Sequence, residues 1–479
     1  MKKILNLTLV FAITTLLAQS PRTLTRQFLQ NPAVARAITG IHVTDLQTGR
    51  EIVGVNQNRL FIPASTLKTL YVFTALDSLG DLFTWKTELL LTGKIRHDTL
   101  RGNIIIRSWG DPAFGGQADP TAFPALLKEM TRALRSAGIK AVQGNLELQI
   151  PANPYPAHGS WPVEDIGNYY GTGYWGFNFN DNTYKLYLDA RETGKVPAVV
   201  QTVPDIPRLH IYNLARTGTD EDEDSAYLYG DPTSFTRTLI GTVPRRDSLF
   251  VLKGGIPYPP LSFIMIFKNA LEREGITFDG KWFVRPKHKT YPQEQVFWSH
   301  VSAPLIRIAK TTLNKSVNLY SEALARHLVE KNAMQTDRYI DKDSLNAYFH
   351  KLGFRRIDLE DGSGLAPDNL IAPSEFTAFL RRRVRTDGLE RTLDILPHAG
   401  EEGYARFFMK NSPLQKNIWL KSGSVSKVHN YIGIFKTPGG KYYAFAVMVN
   451  HFDTSHKEVK KAIENYLENL MKALDKTAK

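Results

Sequence analysis

In the stretch FIPASTLKTL, Ser65 offers a hydroxyl and Lys68 an amine three positions further on. Residues at that spacing share one face of a helix and touch. The run that follows, TLYVFTALDSLG, is apolar on nearly every side, so the helix it predicts is buried all round. A serine before a helix most often only caps it. A capping box, however, wants Glu or Gln at the third helical position, and a cation there opposes the helix dipole. Burial and that dipole would push the Lys68 amine towards its neutral form, able to take the hydroxyl proton and make Ser65 a nucleophile.

Ser-x-x-Lys alone is a weak signal, and it recurs at Ser424 and Lys427, where the context reads as a strand end. Ser-x-Asn is equally weak, occurring at Ser316/Asn318 and at Ser344/Asn346. The ordered set carries more: Ser65-Thr66-Leu67-Lys68, then Ser316-Val317-Asn318, then Lys421-Ser422-Gly423 on a predicted strand. That order is the three-part signature of active-site-serine penicillin-recognising enzymes. Other chemistries have less behind them. The chain has no cysteine, hence no thiol nucleophile and no thiolate metal site. His398, His429, His451 and His456 lack the spacing of a metal motif, and no Gly-x-Ser-x-Gly elbow is present. The acidic run from Asp220 to Asp224 reads as a solvated loop, and Gly362-Ser363-Gly364 as a tight turn near the site. Tyr169, Tyr170, Tyr174 and Trp175 could stack on sugar rings, although packing is the commoner fate of such aromatics.

The elements that must position these residues are legible in outline. At 479 residues, 42% hydrophobic and 11% aromatic, the chain can build a large core. Lys2 and Lys3 before ILNLTLVFAITTLLA read as an export signal over residues 1–18. Losing those two lysines lowers the formal charge from +13 to +11, with the basic residues scattered rather than clustered. This disfavours nucleic acid and suits an anionic wall or membrane surface. ITGIHVTD and EIVGVN predict two strands around LQTG. From about residue 89 to 289 the texture is of short strands broken by Gly, Pro, Asn and Asp, a β-rich insertion of two nested subdomains, with ITFDGKWFV read as one strand near its end. Helical spacing resumes on both sides of NKSVN. The chain closes with the strands NIWLKSGSV, NYIGIFK and YYAFAVMVN and a final amphipathic helix that would cover the sheet. The expected fold is α+β: a discontinuous catalytic domain, residues 19–88 and 290–479, interrupted by the insertion.

From about Arg36 to His451 the sequence resembles the D-alanyl-D-alanine carboxypeptidases and endopeptidases of the low-molecular-mass class C penicillin-binding proteins. Beyond the three motifs the likeness includes WGDPAFGG, NKSVNLYSEALARHL, DGSGLAPDNLIAP and LKSGSVSKVHNYIGIF. It implies a penicillin-binding-protein transpeptidase or β-lactamase-like fold. It also implies roles: Ser65 as acylated nucleophile, Lys68 as its base and Ser316 as proton relay to the leaving amine. Asn318 would hold the substrate amide, and Lys421 and Ser422 the terminal carboxylate. The N–H groups of Ser65 and Ser424 would form the oxyanion hole, and Asp165 would contact the amino end of a diaminopimelate side chain. Two departures stand out, Ser422 where threonine is commoner and RSWGDP where the family is richer in glycine. The implied activity is an exported, periplasmic serine DD-peptidase acting on peptidoglycan stem peptides, with β-lactams as covalent inhibitors and no cofactor. A β-lactamase of the same superfamily and a non-catalytic wall-binding protein on the same fold are the rivals.

Overall fold

The computed structural model describes residues 20–151, 157–329, 342–401 and 403–476, so the expected export signal lies outside the described residues. A five-stranded antiparallel sheet forms the centre of one half, in the order Glu51–Val55, Ile38–Asp45, Tyr442–Asn450, Val428–Lys436, Ile418–Val425. The first two strands and the last three come from opposite ends of the chain, so pairing Ile38–Asp45 with Tyr442–Asn450 closes the domain. Both sheet faces are buried, and the central strands are therefore almost continuously apolar.

One face is covered by the terminal helices Pro21–Leu29 and His456–Lys476, whose Phe28, Ile463 and Leu467 pack with Val447 and Phe445. The other face carries Lys68–Leu79, Leu305–Lys315, Asn318–Val329 and Pro373–Asp387. In Lys68–Leu79 every residue from Lys68 to Leu76 is buried, as the unbroken apolar run predicts. Each of its large apolar side chains contributes about 1.5–3 kcal/mol through burial.

The chain leaves this half along the strand Lys86–Leu91 and returns along Gln295–Val301, which pairs with it antiparallel. These are two neighbours in a second five-stranded sheet, completed by Ile104–Ser108, Leu146–Ile150 and Trp282–Pro286. That sheet therefore begins before residue 89 and extends past residue 289. Two helices, Phe123–Ser136 and Pro259–Arg273, pack in its core. The expectation of short strands here passed over the first of them, although Leu126, Met130 and Leu134 recur at helical spacing. The segment expected as one strand, ITFDGKWFV, is two, Thr277–Phe278 and Trp282–Pro286, which join different sheets across Asp279-Gly280. The four-stranded sheet that takes in Thr277–Phe278, the short pair Arg216–Thr217 and Thr242–Val243, and smaller sheets built on Thr183–Asp189 and Thr236–Ile240 complete the insertion. Their Tyr227–Tyr229 edge, with the short helix Val163–Ile166, reaches the mouth of the cleft described next.

Candidate active site

A cleft of about 630 Å³ opens between the two halves, lined by Ser65, Asp165, Tyr170, Ser316, Asn318, Ser422 and Ser424 among others. Ser65 sits in a 3-10 turn, Ala64–Leu67, that runs into the helix starting at Lys68, and no side chain caps either element. The serine is thus not an N-cap. Ala64, fully buried, holds φ +47°, a conformation that costs an L-residue about 1–2 kcal/mol and that packing must over-determine. The packing is visible at two glycines. A Cβ on Gly423 would lie 2.6 Å from the Pro63 carbonyl and 3.0 Å from the Ser65 nitrogen. Gly364, at φ +79°, lies so close to Ala64 that a Cβ there would be 2.1 Å from its carbonyl oxygen. The serine turn is clamped between the strand Ile418–Val425 and the turn Gly362-Ser363-Gly364.

Lys68 is fully buried, its Nζ 2.7 Å from Ser65 Oγ and 2.6 Å from the Ser363 carbonyl oxygen. Burial pushes this amine down to about 7, against the opposing pull of Asp361 and Glu322. Asp361 shapes the turn that presents Ser363. Its carboxylate accepts from the N–H groups of Gly364 (2.6 Å) and Ala366 (2.7 Å), the Asn369 amide (2.9 Å) and the Trp161 indole (2.9 Å). Its backbone oxygen accepts from the Tyr71 hydroxyl at 2.8 Å. Glu322 accepts from the Gly362 N–H at 3.1 Å and pairs with His158 at 3.6 Å, which raises that imidazole despite its burial.

The second motif lies where the helix Leu305–Lys315 ends and Asn318–Val329 begins. Ser316 adopts a left-handed conformation, φ +55°, at the reversal. The Asn318 amide donates to the Tyr170 carbonyl oxygen of the insertion at 2.7 Å. The third motif meets the second directly: Lys421 Nζ lies 3.1 Å from Ser316 Oγ and 2.7 Å from the Ser422 carbonyl oxygen. Lys421 is buried, and burial together with the positive field of Lys68 holds it well below the usual lysine range. The three motifs therefore converge, and their two lysines feel each other's charge.

Asp165 stands on Val163–Ile166 at the cleft wall, raised by burial and receiving the Tyr170 hydroxyl. Of the four aromatics considered for stacking, Tyr169 and Tyr170 line the cleft, whereas Tyr174 and Trp175 are buried. The second Ser-x-x-Lys pair is divided between the strand end, Ser424, and the following turn, Lys427, while Ser344 and Asn346 lie on Lys342–Lys351, outside the cleft lining. Asp220 and Asp222 occupy an exposed loop, engaging Arg245 and Thr219. His456 lines the cleft 3.1 Å from Ser424 Oγ and 3.0 Å from the His429 ring. Sequence reasoning missed Asp361, Glu322, His158, Trp161 and the placement of His456. Asp361 and Glu322 lay within quoted motifs, DGSGLAPDNLIAP and NKSVNLYSEALARHL, but neither was given a role of its own there.

The family model described as D-Ala-D-Ala carboxypeptidase 3 (S13) matches residues 23–470. The chain is 25% identical over 431 residues to a D-alanyl-D-alanine carboxypeptidase, DacB, of Haemophilus influenzae, covering 88% of this chain and 87% of that protein. The crystal structure of penicillin binding protein 4 (dacB) from the same organism superposes with a TM-score of 0.78 at 22% identity, over 94% of this chain and 99% of that one. A second structure of it, complexed with a β-lactam, gives 0.75 at 22% identity, over 94% and 98%.

Proposed function

The chain belongs to the D-Ala-D-Ala carboxypeptidase 3 (S13) family, and from that premise we propose that it is an exported, periplasmic serine DD-peptidase working through a Ser65 acyl-enzyme. It removes the terminal D-alanine of peptidoglycan stem peptides and also opens D-alanyl cross-links between strands. The observation that supports this best is the fully buried Lys68 amine, poised near neutrality 2.7 Å from the Ser65 hydroxyl.

In this reading neutral Lys68 takes the Ser65 proton as Oγ attacks the penultimate carbonyl carbon, forming the tetrahedral intermediate. The N–H groups of Ser65 and Ser424 face the developing oxyanion, a contribution worth about 2.7–4 kcal/mol per donor. Collapse expels the D-alanine nitrogen, which takes its proton through Ser316, itself bonded to Lys421. Lys421 and Ser422 receive the substrate carboxylate. That anion favours the charged form of Lys421, and a charged Lys421 in turn holds Lys68 neutral, so productive binding prepares the base. Asn318 exchanges the Tyr170 carbonyl for the substrate amide, and Asp165 meets a cationic group of the stem peptide. Water then deacylates Ser65 by the same steps in reverse. A β-lactam enters the same attack and stays attached, because its leaving nitrogen remains tethered.

The test is incubation with a cross-linked muropeptide and analysis of the products. Release of D-alanine together with cleavage into monomers, both lost in Ser65→Ala, is expected; intact substrate would overturn the reading. Intact-mass measurement with penicillin is expected to show a persistent adduct on Ser65. Rapid penicillin turnover without one would point to a β-lactamase, and no labelling to a wall-binding protein.

A further inference from the structure

Inside the insertion, away from the cleft, three side chains able to ligate a cation converge. Asp111 and Asp119 come from the loop after Ile104–Ser108, and His300 from the edge strand Gln295–Val301. One ligand atom from each lies within 4.8 Å of the others. His300 Nε2 is 2.7 Å from Asp119 Oδ2, a hydrogen bond that a bound ion would open to the roughly 3.4 Å separating neighbouring donors held tetrahedrally at about 2.1 Å. Backbone N–H groups already aim the carboxylates: Gly115 and Thr121 donate to Asp119 at 3.0 and 2.9 Å, and Ala113 to Asp111 Oδ1 at 2.8 Å.

Asp111 Oδ2 is left over. Asp111 is 1% exposed, and this oxygen has no hydrogen-bond partner among the described residues. The surroundings offer little compensation, since the Phe114 ring stands edge-on to His300 at 5.3 Å and Trp298 stacks on it at 6.2 Å. A dication would balance the two carboxylates and occupy the orphaned oxygen.

We propose that Asp111, Asp119 and His300 form a structural site for a divalent transition-metal cation, with Zn²⁺ the best match to one imidazole and two carboxylates. The ion ties the loop 111–119 to the strand that leads the chain back to the catalytic half. The same loop touches that half, where the Ala118 N–H donates to the Tyr320 hydroxyl at 3.3 Å, two residues along the helix from Asn318. The ion stiffens the seam beside the second motif and takes no part in the peptidase chemistry.

Full-length protein, made without a polyhistidine tag or chelator, is titrated with Zn²⁺ calorimetrically and its metal content measured. One ion per chain, a rise in Tm with Zn²⁺ and its reversal by dipicolinate are expected. X-ray absorption is expected to show one nitrogen and carboxylate oxygens around the metal. Asp111→Asn, nearly isosteric, is expected to weaken binding more than about 100-fold while fluorescent penicillin still labels Ser65. His300→Gln provides a second variant should the first fold poorly. Absence of a bound ion, or binding unchanged in both variants, overturns the proposal and leaves the cluster as an Asp–His ion pair beside a protonated carboxyl. Penicillin labelling reports separately on the peptidase reading.

Discussion

At the scale of single residues, function and stability pull against each other at Lys68. An amine moved from its ordinary 10.5 to about 7 by burial costs the native state about 4 kcal/mol at neutral pH. The unfolded chain binds the extra proton between those two values, so this group's share of stability rises with pH across that window. Lys68→Met is therefore expected to lower Ser65 acylation by about 10²–10⁴-fold while Tm stays at or above the parent value. Penicillin labelling rates and a thermal melt check both. The same protonation step predicts that acylation falls about tenfold per pH unit below 7 and levels off above it, read from labelling rates across pH. A profile flat down to pH 5 would remove Lys68 as the base.

At the scale of elements, the serine turn depends on the strand behind it. Gly423→Ala would drive a methyl against the Pro63 carbonyl and the Thr66 nitrogen, at 2.6 and 2.8 Å, and push Ile418–Val425 away from Ser65. Overpacking of this kind costs about 1–3 kcal/mol, and misplacing one oxyanion donor costs about 10²–10³ in rate. Urea unfolding and acylation kinetics measure the two separately; an acylation rate within twofold of the parent would show that the strand does not set the oxyanion geometry. Among the elements, those with an unbroken pattern were the readable ones. The apolar run after Lys68 and the alternation of helix and turn around Ser316 fixed their neighbourhoods, whereas ITFDGKWFV hid a sheet change behind continuous β-propensity.

Over the whole molecule, the two halves meet at a few buried polar contacts. The Tyr320 hydroxyl donates to Asp181, and the Trp161 indole to Asp361. Tyr320→Phe is expected to cost about 1–3 kcal/mol by leaving a buried carboxylate short of a donor, and to raise KM for stem peptides more than it slows penicillin labelling. Equal losses in both would place Tyr320 in the chemistry rather than in the seam. The sequence by itself determined the three motifs, their order and the α+β frame, because hydroxyl and amine at one-turn spacing, and apolar periodicity, are local properties. Only the tertiary structure decided that Asp361 and Glu322 act on Lys68, with the Trp161 indole and His158 bonded to those carboxylates. Their partners lie tens to hundreds of residues away, and a buried charge is tuned by whatever the fold brings within a few ångströms, which no local spacing records.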